Sequence, residues 1–151
     1  RYSTKSMIDT ARIRSTLPHW LDTCEPATDA SINELVAAAT FTLPPGYVAL
    51  LRLTDGGETF LGHDDPDNGS YLVLWPSTDV LALNNEHDVP SHAPDHFAFG
   101  TNGGGEIFAF NTRRGDDAVF MLPSIGLSDD AGMLYCDSFA TFLSLLPESS
   151  E

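Results

Sequence analysis

The chain has 151 residues, of which 42% are hydrophobic and 10% aromatic, a composition typical of one globular domain and unlike that of a disordered protein. Its 22 acidic residues outnumber its 7 basic ones, which gives a net charge of −15. Such a surface repels phosphate, so the charge argues against nucleic-acid binding. It favours encounter with a basic partner, although acidity can also serve solubility alone.

The charge is distributed unevenly along the chain. Residues 1–14 hold four of the basic residues and one acidic residue, Asp9. The remainder therefore carries 3 basic residues against 21 acidic ones, a net charge of −18. A basic partner would meet this part of the molecule first.

No apolar run comes near the ~18 residues that span a membrane, and residues 1–10 lack the apolar core of a signal peptide. We therefore expect a cytoplasmic protein with no membrane partner. The chain begins with Arg1 rather than Met, which leaves the origin of residues 1–6 open. Cys24 and Cys136 are expected as reduced thiols, and a disulfide between them stays open.

The first part of the chain shows helical patterns. Residues 4–22 favour one or two helical pieces, divided at Pro18 because a proline disfavours helix in the residue before it. Apolar side chains then recur at helical spacing from Ile32, after Thr28 or Asp29 as the capping residue. The run LPPGYVALLRLTDGG over 43–57 predicts a short helix, roughly 44–54, that begins at prolines and ends at glycines.

From Phe60 onward the apolar pattern becomes that of strands. Expected strands lie at 60–61, 71–75, 97–99, 106–110, 118–122 and 134–136. The glycines within 101–105 predict a hairpin turn. Its return strand is apolar on both faces and therefore belongs inside a covered sheet.

The chain ends in another helical pattern, expected over 139–146 after Asp137 or Ser138 as cap and before Pro147. Helices first, strands next and a helix last predict an α+β fold. We expect a single domain with a largely antiparallel sheet of about five or six strands, on which N-terminal helices and a C-terminal helix pack. Residues 1–28 are expected to form an N-terminal helical segment of the same domain as residues 29–151.

Four segments in this order resemble the SUKH superfamily, over about residues 29 to 146. They are LPPGYVALLRLTDGG at 43–57, the strand that ends near Trp75, FGTNGGGEIFAF at 99–110 and DSFATFL at 137–143. Thr40 departs from the glycine expected at the preceding helix end. The matched glycines, prolines and aromatic residues set backbone shape and fill a core, so they indicate no contact residues.

The resemblance implies a bacterial immunity protein that binds and blocks a cognate polymorphic toxin, with a basic nuclease as the expected kind of partner. The mechanism would be occlusion, in which an acidic face takes the place of the substrate's phosphates. The candidates near exposed loops are Asp55, Glu58, Asp64, Asp65, Asp67, Glu86 and Asp88. The alternative is a regulatory protein-interaction domain of the same fold with no toxin partner, as the related fungal cell-wall-assembly regulators suggest.

The sequence predicts no metal, no cofactor and no enzymatic activity. The acidic segment 63–69 fails the EF-hand pattern, because Pro66 occupies a ligand position. His92 and His96 have zinc-like spacing but are interrupted by Pro94, so the pattern favours a surface loop. The glycines at 103–105 precede an acid rather than the lysine of a phosphate-binding loop, and no nucleophile motif is present.

Overall fold

The computed structural model describes residues 10–62 and 70–147, and within them the predicted α+β order is confirmed. The helices of this part are α1 Thr10–Thr16, α2 Asp29–Ala38, α3 Pro45–Leu51, α4 Val80–Glu86, α5 Val89–His92 and α6 Phe139–Leu143. The strands are β1 Asp22–Thr23, β2 Gly57–Leu61, β3 Ser70–Leu74, β4 His96–Thr101, β5 Glu106–Asn111, β6 Val119–Pro123 and β7 Met133–Cys136.

The predicted helix caps are confirmed at two helices. The Thr28 hydroxyl accepts a hydrogen bond from the Ser31 N–H at 3.1 Å before α2, and the Ser138 hydroxyl accepts one from the Thr141 N–H at 3.1 Å before α6. Helices α3 and α6 are both shorter than predicted, because their last turns tighten into i→i+3 hydrogen bonds.

The seven strands form one antiparallel sheet in which neighbours in space are also neighbours in sequence, β1 to β7. The sheet thus has slightly more strands than the five or six expected. The missed strand is β1, whose two residues pair as Asp22↔Glu58 and Thr23↔Gly57. Gly57 permits this approach, because a Cβ on it would lie 2.5 Å from the carbonyl oxygen of Asp22.

One face of the sheet carries a layer of aromatic rings beneath α3 and α6. The Phe99 ring lies 4.7 Å from that of Phe110 and 5.5 Å from Tyr47 of α3. It also meets Phe142 of α6 at 5.6 Å, edge to face. These rings are fully buried, and together they anchor both helices on the sheet.

The opposite face of the sheet is divided into two halves. The register places Glu58, Val73, Thr101, Ile107 and Leu122 in one row across it, because residues directly opposite each other share a face. In strands β4 to β6 this face is buried; the residues that form this covered half are Ala98, Ile107, Ala109, Phe120 and Leu122. In strands β1 to β3 it is partly exposed; the residues of this open half are Asp22, Glu58, Phe60, Tyr71 and Val73.

Helix α4 closes a gap in the sheet next to the covered half. Strands β3 and β4 pair at only two positions, Val73↔Thr101 and Leu74↔Gly100. Beyond them, the Asn84 amide donates to the Ala98 carbonyl oxygen at 2.9 Å and accepts from the Ala98 N–H at 2.9 Å. A single side chain therefore satisfies backbone groups that a longer β3 would otherwise pair.

The last strand, β7, lies at an edge of the sheet and pairs only with β6. Its sequence, MLYC, contains neither charge nor proline. Met133 and Leu134 are 72% and 54% exposed. The edge therefore lacks the charged residues and prolines that commonly protect such strands.

Candidate protein-interaction surface

The predicted contact residues that the structure describes lie in three separate places. Asp55 follows α3, Glu58 lies within β2, and Glu86 and Asp88 are exposed where α4 meets α5. The remaining three, Asp64, Asp65 and Asp67, lie outside the described residues. The four described candidates therefore belong to different elements and connections of the fold.

Asp55 is engaged within the protein itself. Its carboxylate accepts hydrogen bonds from the Ser77 backbone N–H at 2.6 Å and from the Ser77 hydroxyl at 3.1 Å. Its backbone N–H donates to the carbonyl oxygen of Glu25 at 2.9 Å. These bonds tie the end of α3 to two other segments, which gives Asp55 a structural role.

Glu58 belongs to the open half of the sheet face. It accepts a hydrogen bond from the Tyr71 hydroxyl on the neighbouring strand, and Asp22 lies directly opposite it on β1. The rings of Phe60 and Tyr71 are 5.3 Å apart and meet edge to face. Phe60 is 52% exposed, so an aromatic pair and two carboxylates share one accessible surface.

The hydrogen bond between Tyr71 and Glu58 changes the pKa of the Tyr71 hydroxyl. Because the bond is made by the neutral hydroxyl, it raises the pKa of Tyr71, and the nearby Glu58 and Asp22 charges add to that rise. Gly103 of the hairpin lies close to this ring, since a Cβ on it would be 3.3 Å from Tyr71 Cδ2. Tyr71 is therefore bonded to Glu58 through its hydroxyl, and one edge of its ring lies close to Gly103.

The covered half has an arginine where its edge meets solvent. The Arg114 guanidinium lies over the Phe120 ring, 5.2 Å from its centroid. It also donates two hydrogen bonds to Asp116 Oδ2, from Nε at 3.1 Å and from Nη2 at 2.9 Å. This interaction lowers the pKa of the Asp116 carboxyl. Ring, guanidinium and carboxylate therefore form one contact group.

Three other arginines contact groups that do not belong to the open half. Arg52 pairs with Asp29 at 2.6 Å and Arg113 with Asp95 at 3.7 Å. Arg12 donates to the carbonyl oxygen of Ser144 after α6, at 2.9 Å. Within residues 10–62 and 70–147, no ion pair involves Asp22 or Glu58.

Glu86 and Asp88 flank a second, smaller feature. Between them His87 stacks on Trp75 with ring centroids 5.5 Å apart, and Asp88 has a left-handed backbone with φ of 59°. A cleft of about 240 Å³ opens between this corner and the segment 124–127. Asp88 lines this cleft, and Glu86 is exposed beside it in the chain.

The prediction that His92 and His96 lie on a surface loop is wrong for His96. This residue begins β4 and is buried, and its Nδ1 lies 2.8 Å from Asp129 Oδ1. Asp129 lies in a short 3₁₀ turn before β7, and its carboxylate also accepts a hydrogen bond from the backbone N–H of Asp95 at 3.1 Å. These contacts join the start of β4 to the 3₁₀ turn, which is why His96 is not on a surface loop. Among the described residues, no group of three His, Cys, Asp or Glu side chains could hold a metal ion.

The cysteines are free, and Cys24 is exposed whereas Cys136 is buried. Burial raises the pKa of the Cys136 thiol to about 11, which disfavours the reactive thiolate. For the described residues, no helix is both long enough and apolar enough to cross a membrane.

Sequence reasoning missed Asp22, Phe60 and Tyr71 as members of the open half. The sequence does hold a signal for Phe60, because strand residues alternate between the two faces of a sheet. Thr59 and Leu61 are buried on one face, so Phe60 between them lies on the other. The partnership of Asp22 with Glu58 depends on β1, and two residues are too short to show a strand period.

Comparison with protein families gives one match: the model of the SMI1 / KNR4 family (SUKH-1) matches residues 26–145. The comparison with curated proteins finds no match. The family match spans most of the chain and includes α2 to α6 and strands β2 to β7. The predicted resemblance is confirmed, and the chain belongs to the SMI1/KNR4 (SUKH-1) family.

Proposed function

We propose that this member of the SMI1/KNR4 family is an immunity protein that binds a basic bacterial toxin and blocks it by occlusion. The observation that carries the proposal is the family match over residues 26–145. A SUKH domain is consistent with an immunity-type protein that acts on a protein partner. The described residues add no metal-binding cluster that would favour an enzyme instead.

Charge supports the choice of a basic partner. The net charge of the chain is −15, and few of the described carboxylates are neutralised by ion pairs. A toxin that acts on nucleic acid presents a basic cleft, which an acidic protein can occupy in place of phosphate. Attraction of this kind would speed association and fix orientation.

The open half is the surface best suited to begin this contact. It presents Glu58 and Asp22 next to two aromatic rings, and aromatic residues are enriched at the centres of protein interfaces. Asp64, Asp65 and Asp67 belong to the segment that joins β2 to β3, the strands that carry this half. We propose that these three residues also take part in the contact, with Glu86 and Asp88 as a second acidic group.

Co-expression tests the proposal. Each gene beside the one for this protein would be expressed in a bacterial host, with and without the full chain. The proposal expects that one neighbour arrests growth, that the chain restores growth, and that the two proteins co-purify. If no neighbour is toxic, or if toxicity is unchanged by the chain, a regulatory domain of the same fold becomes the better explanation.

A further inference from the structure

The open half has most of the parts of a cation-binding contact, and none of the ion pairs among residues 10–62 and 70–147 brings a basic side chain to it. Phe60 and Tyr71 present an accessible edge-to-face pair. Tyr71 donates to one oxygen of Glu58, and no donor of the described residues is bonded to the second oxygen. Asp22 brings another carboxylate from the opposing position on β1. Exposed aromatic faces beside carboxylates attract guanidinium and ammonium groups.

The covered half of the same face contains the complete version of this arrangement. There, Arg114 lies over the Phe120 ring at 5.2 Å and binds the Asp116 carboxylate at 2.9 Å. The guanidinium thus makes a cation–π contact with the ring and hydrogen bonds with the carboxylate at the same time. Glu58, Phe60 and Tyr71 repeat the ring and the carboxylate in the open half, whereas Arg52, Arg113 and Arg114 form their ion pairs with other residues.

We infer that the open half binds an arginine side chain of the partner protein, with the guanidinium against Phe60 and Tyr71 and its N–H groups on Glu58 and Asp22. The inference rests on the proposed function for the existence of a basic partner. It adds which group of that partner is recognised and where.

Arginine fits this surface better than lysine does. A guanidinium is planar, so it can stack on a ring while its fork of donors reaches a carboxylate. Two carboxylates on opposing strands also suit several N–H donors better than one compact ammonium. A second copy of this chain is a poor occupant, because two surfaces of the same negative charge would meet.

The direct test uses the full chain and a short peptide, acetyl-Gly-Arg-Gly-amide, in an amide NMR titration. The neutral control is the same peptide with citrulline, which keeps the shape of arginine but not its charge. We expect shifts centred on residues 58–60 and 71–73, with a Kd of about 1–10 mM, because one cation–π contact and exposed ion pairs are each weak. The citrulline peptide should bind at least about fivefold more weakly.

Two matched variants locate the contact. Glu58→Gln keeps an oxygen that can accept from Tyr71 but removes the charge, and should weaken the arginine peptide about three- to tenfold. Glu34→Gln makes the same change at an exposed position of α2 and should leave the Kd within about twofold. A lysine peptide should bind more weakly than the arginine peptide.

The outcomes separate this inference from the proposed function. Shifts spread over all acidic surfaces, equal effects of the two variants, or equal binding of the citrulline peptide would overturn the arginine site. None of these results bears on toxin neutralisation in the co-expression assay. Conversely, localised binding of the peptide together with a failure to restore growth would overturn the immunity function and leave the arginine site in place.

Discussion

The covered and open halves of one sheet face show how a single sheet can serve two purposes. In the covered half Ile107, Ala109 and Leu122 are fully buried, and α4 and α5 pack against the neighbouring strand β4. In the open half the same row continues into Glu58 and Val73, which are half-buried. The burial of a strand face is therefore set by what packs on it, and the open half keeps side chains that are accessible to solvent.

The largest expected difference between the two halves is in stability. Ile107→Ala should lower the free energy of unfolding by about 2–5 kcal/mol, because it leaves a cavity in a fully buried site. Phe60→Ala removes more atoms, yet it should cost about 1 kcal/mol, since Phe60 is 52% exposed. Urea unfolding of both variants measures the contrast. Equal losses would show that the open half is core as well.

A second expected difference concerns the closure that α4 gives to the covered half. Asn84→Ala removes both hydrogen bonds to Ala98 and leaves buried backbone groups unpaired, at a cost of about 1–3 kcal/mol. The neighbouring Asn85 is exposed, so Asn85→Ala should change stability by less than about 0.5 kcal/mol. Thermal unfolding of the two variants makes the comparison, and the prediction fails if they melt together.

A smaller effect is expected from the acidic segment between β2 and β3, the strands that carry the open half. Changing Asp64, Asp65 and Asp67 to Asn should slow association with the toxin while stability moves by less than about 0.5 kcal/mol. The matched control changes Glu25 and Glu34 to Gln and Asp79 to Asn, which removes the same charge from exposed positions elsewhere. Stopped-flow kinetics at several salt concentrations would separate local from overall charge. If the on-rate depends neither on salt nor on either triple variant, the negative charge serves solubility and not partner recognition.

The smallest expected effect is the ionisation of Tyr71. Its hydrogen bond to Glu58 raises the folded-state pKa above the ordinary value of about 10. The bond therefore contributes to folding below that pH and is lost as pH rises through the folded-state pKa. Carbon-13 labelling at tyrosine Cζ would follow the titration by NMR. Glu58→Ala removes the acceptor and should bring the pKa of Tyr71 back toward its ordinary value, and no change would mean that the bond does not form in solution.

Much of the fold could be predicted from the sequence because its signals are local. The capping hydroxyls of Thr28 and Ser138, the glycine turn before β5 and the apolar run of β5 act within a few residues. The signals that failed were not local. Strand β1 exists only by its pairing with β2, and the burial of His96 depends on Asp129, 33 positions further along the chain.

The interaction surface was harder to predict for the same reason. Exposed loops were the only basis for choosing Asp55, yet that carboxylate is bonded to Ser77. Glu58 gains its neighbours Tyr71 and Asp22 only through the strand register. A list of acids in a sequence cannot separate a carboxylate used by the fold from one that faces solvent beside aromatic rings.

Because the edge strand β7 carries no charge, the negative charge of the rest of the chain is important in keeping folded molecules apart. Met133 and Leu134 offer an accessible strand edge, to which another molecule could add by backbone hydrogen bonding. At neutral pH a net charge of −15 on each molecule opposes such approach. Near the isoelectric point of about 4.3 that repulsion vanishes. Folded molecules should then associate edge to edge, so acid precipitation of this protein need not begin with unfolding.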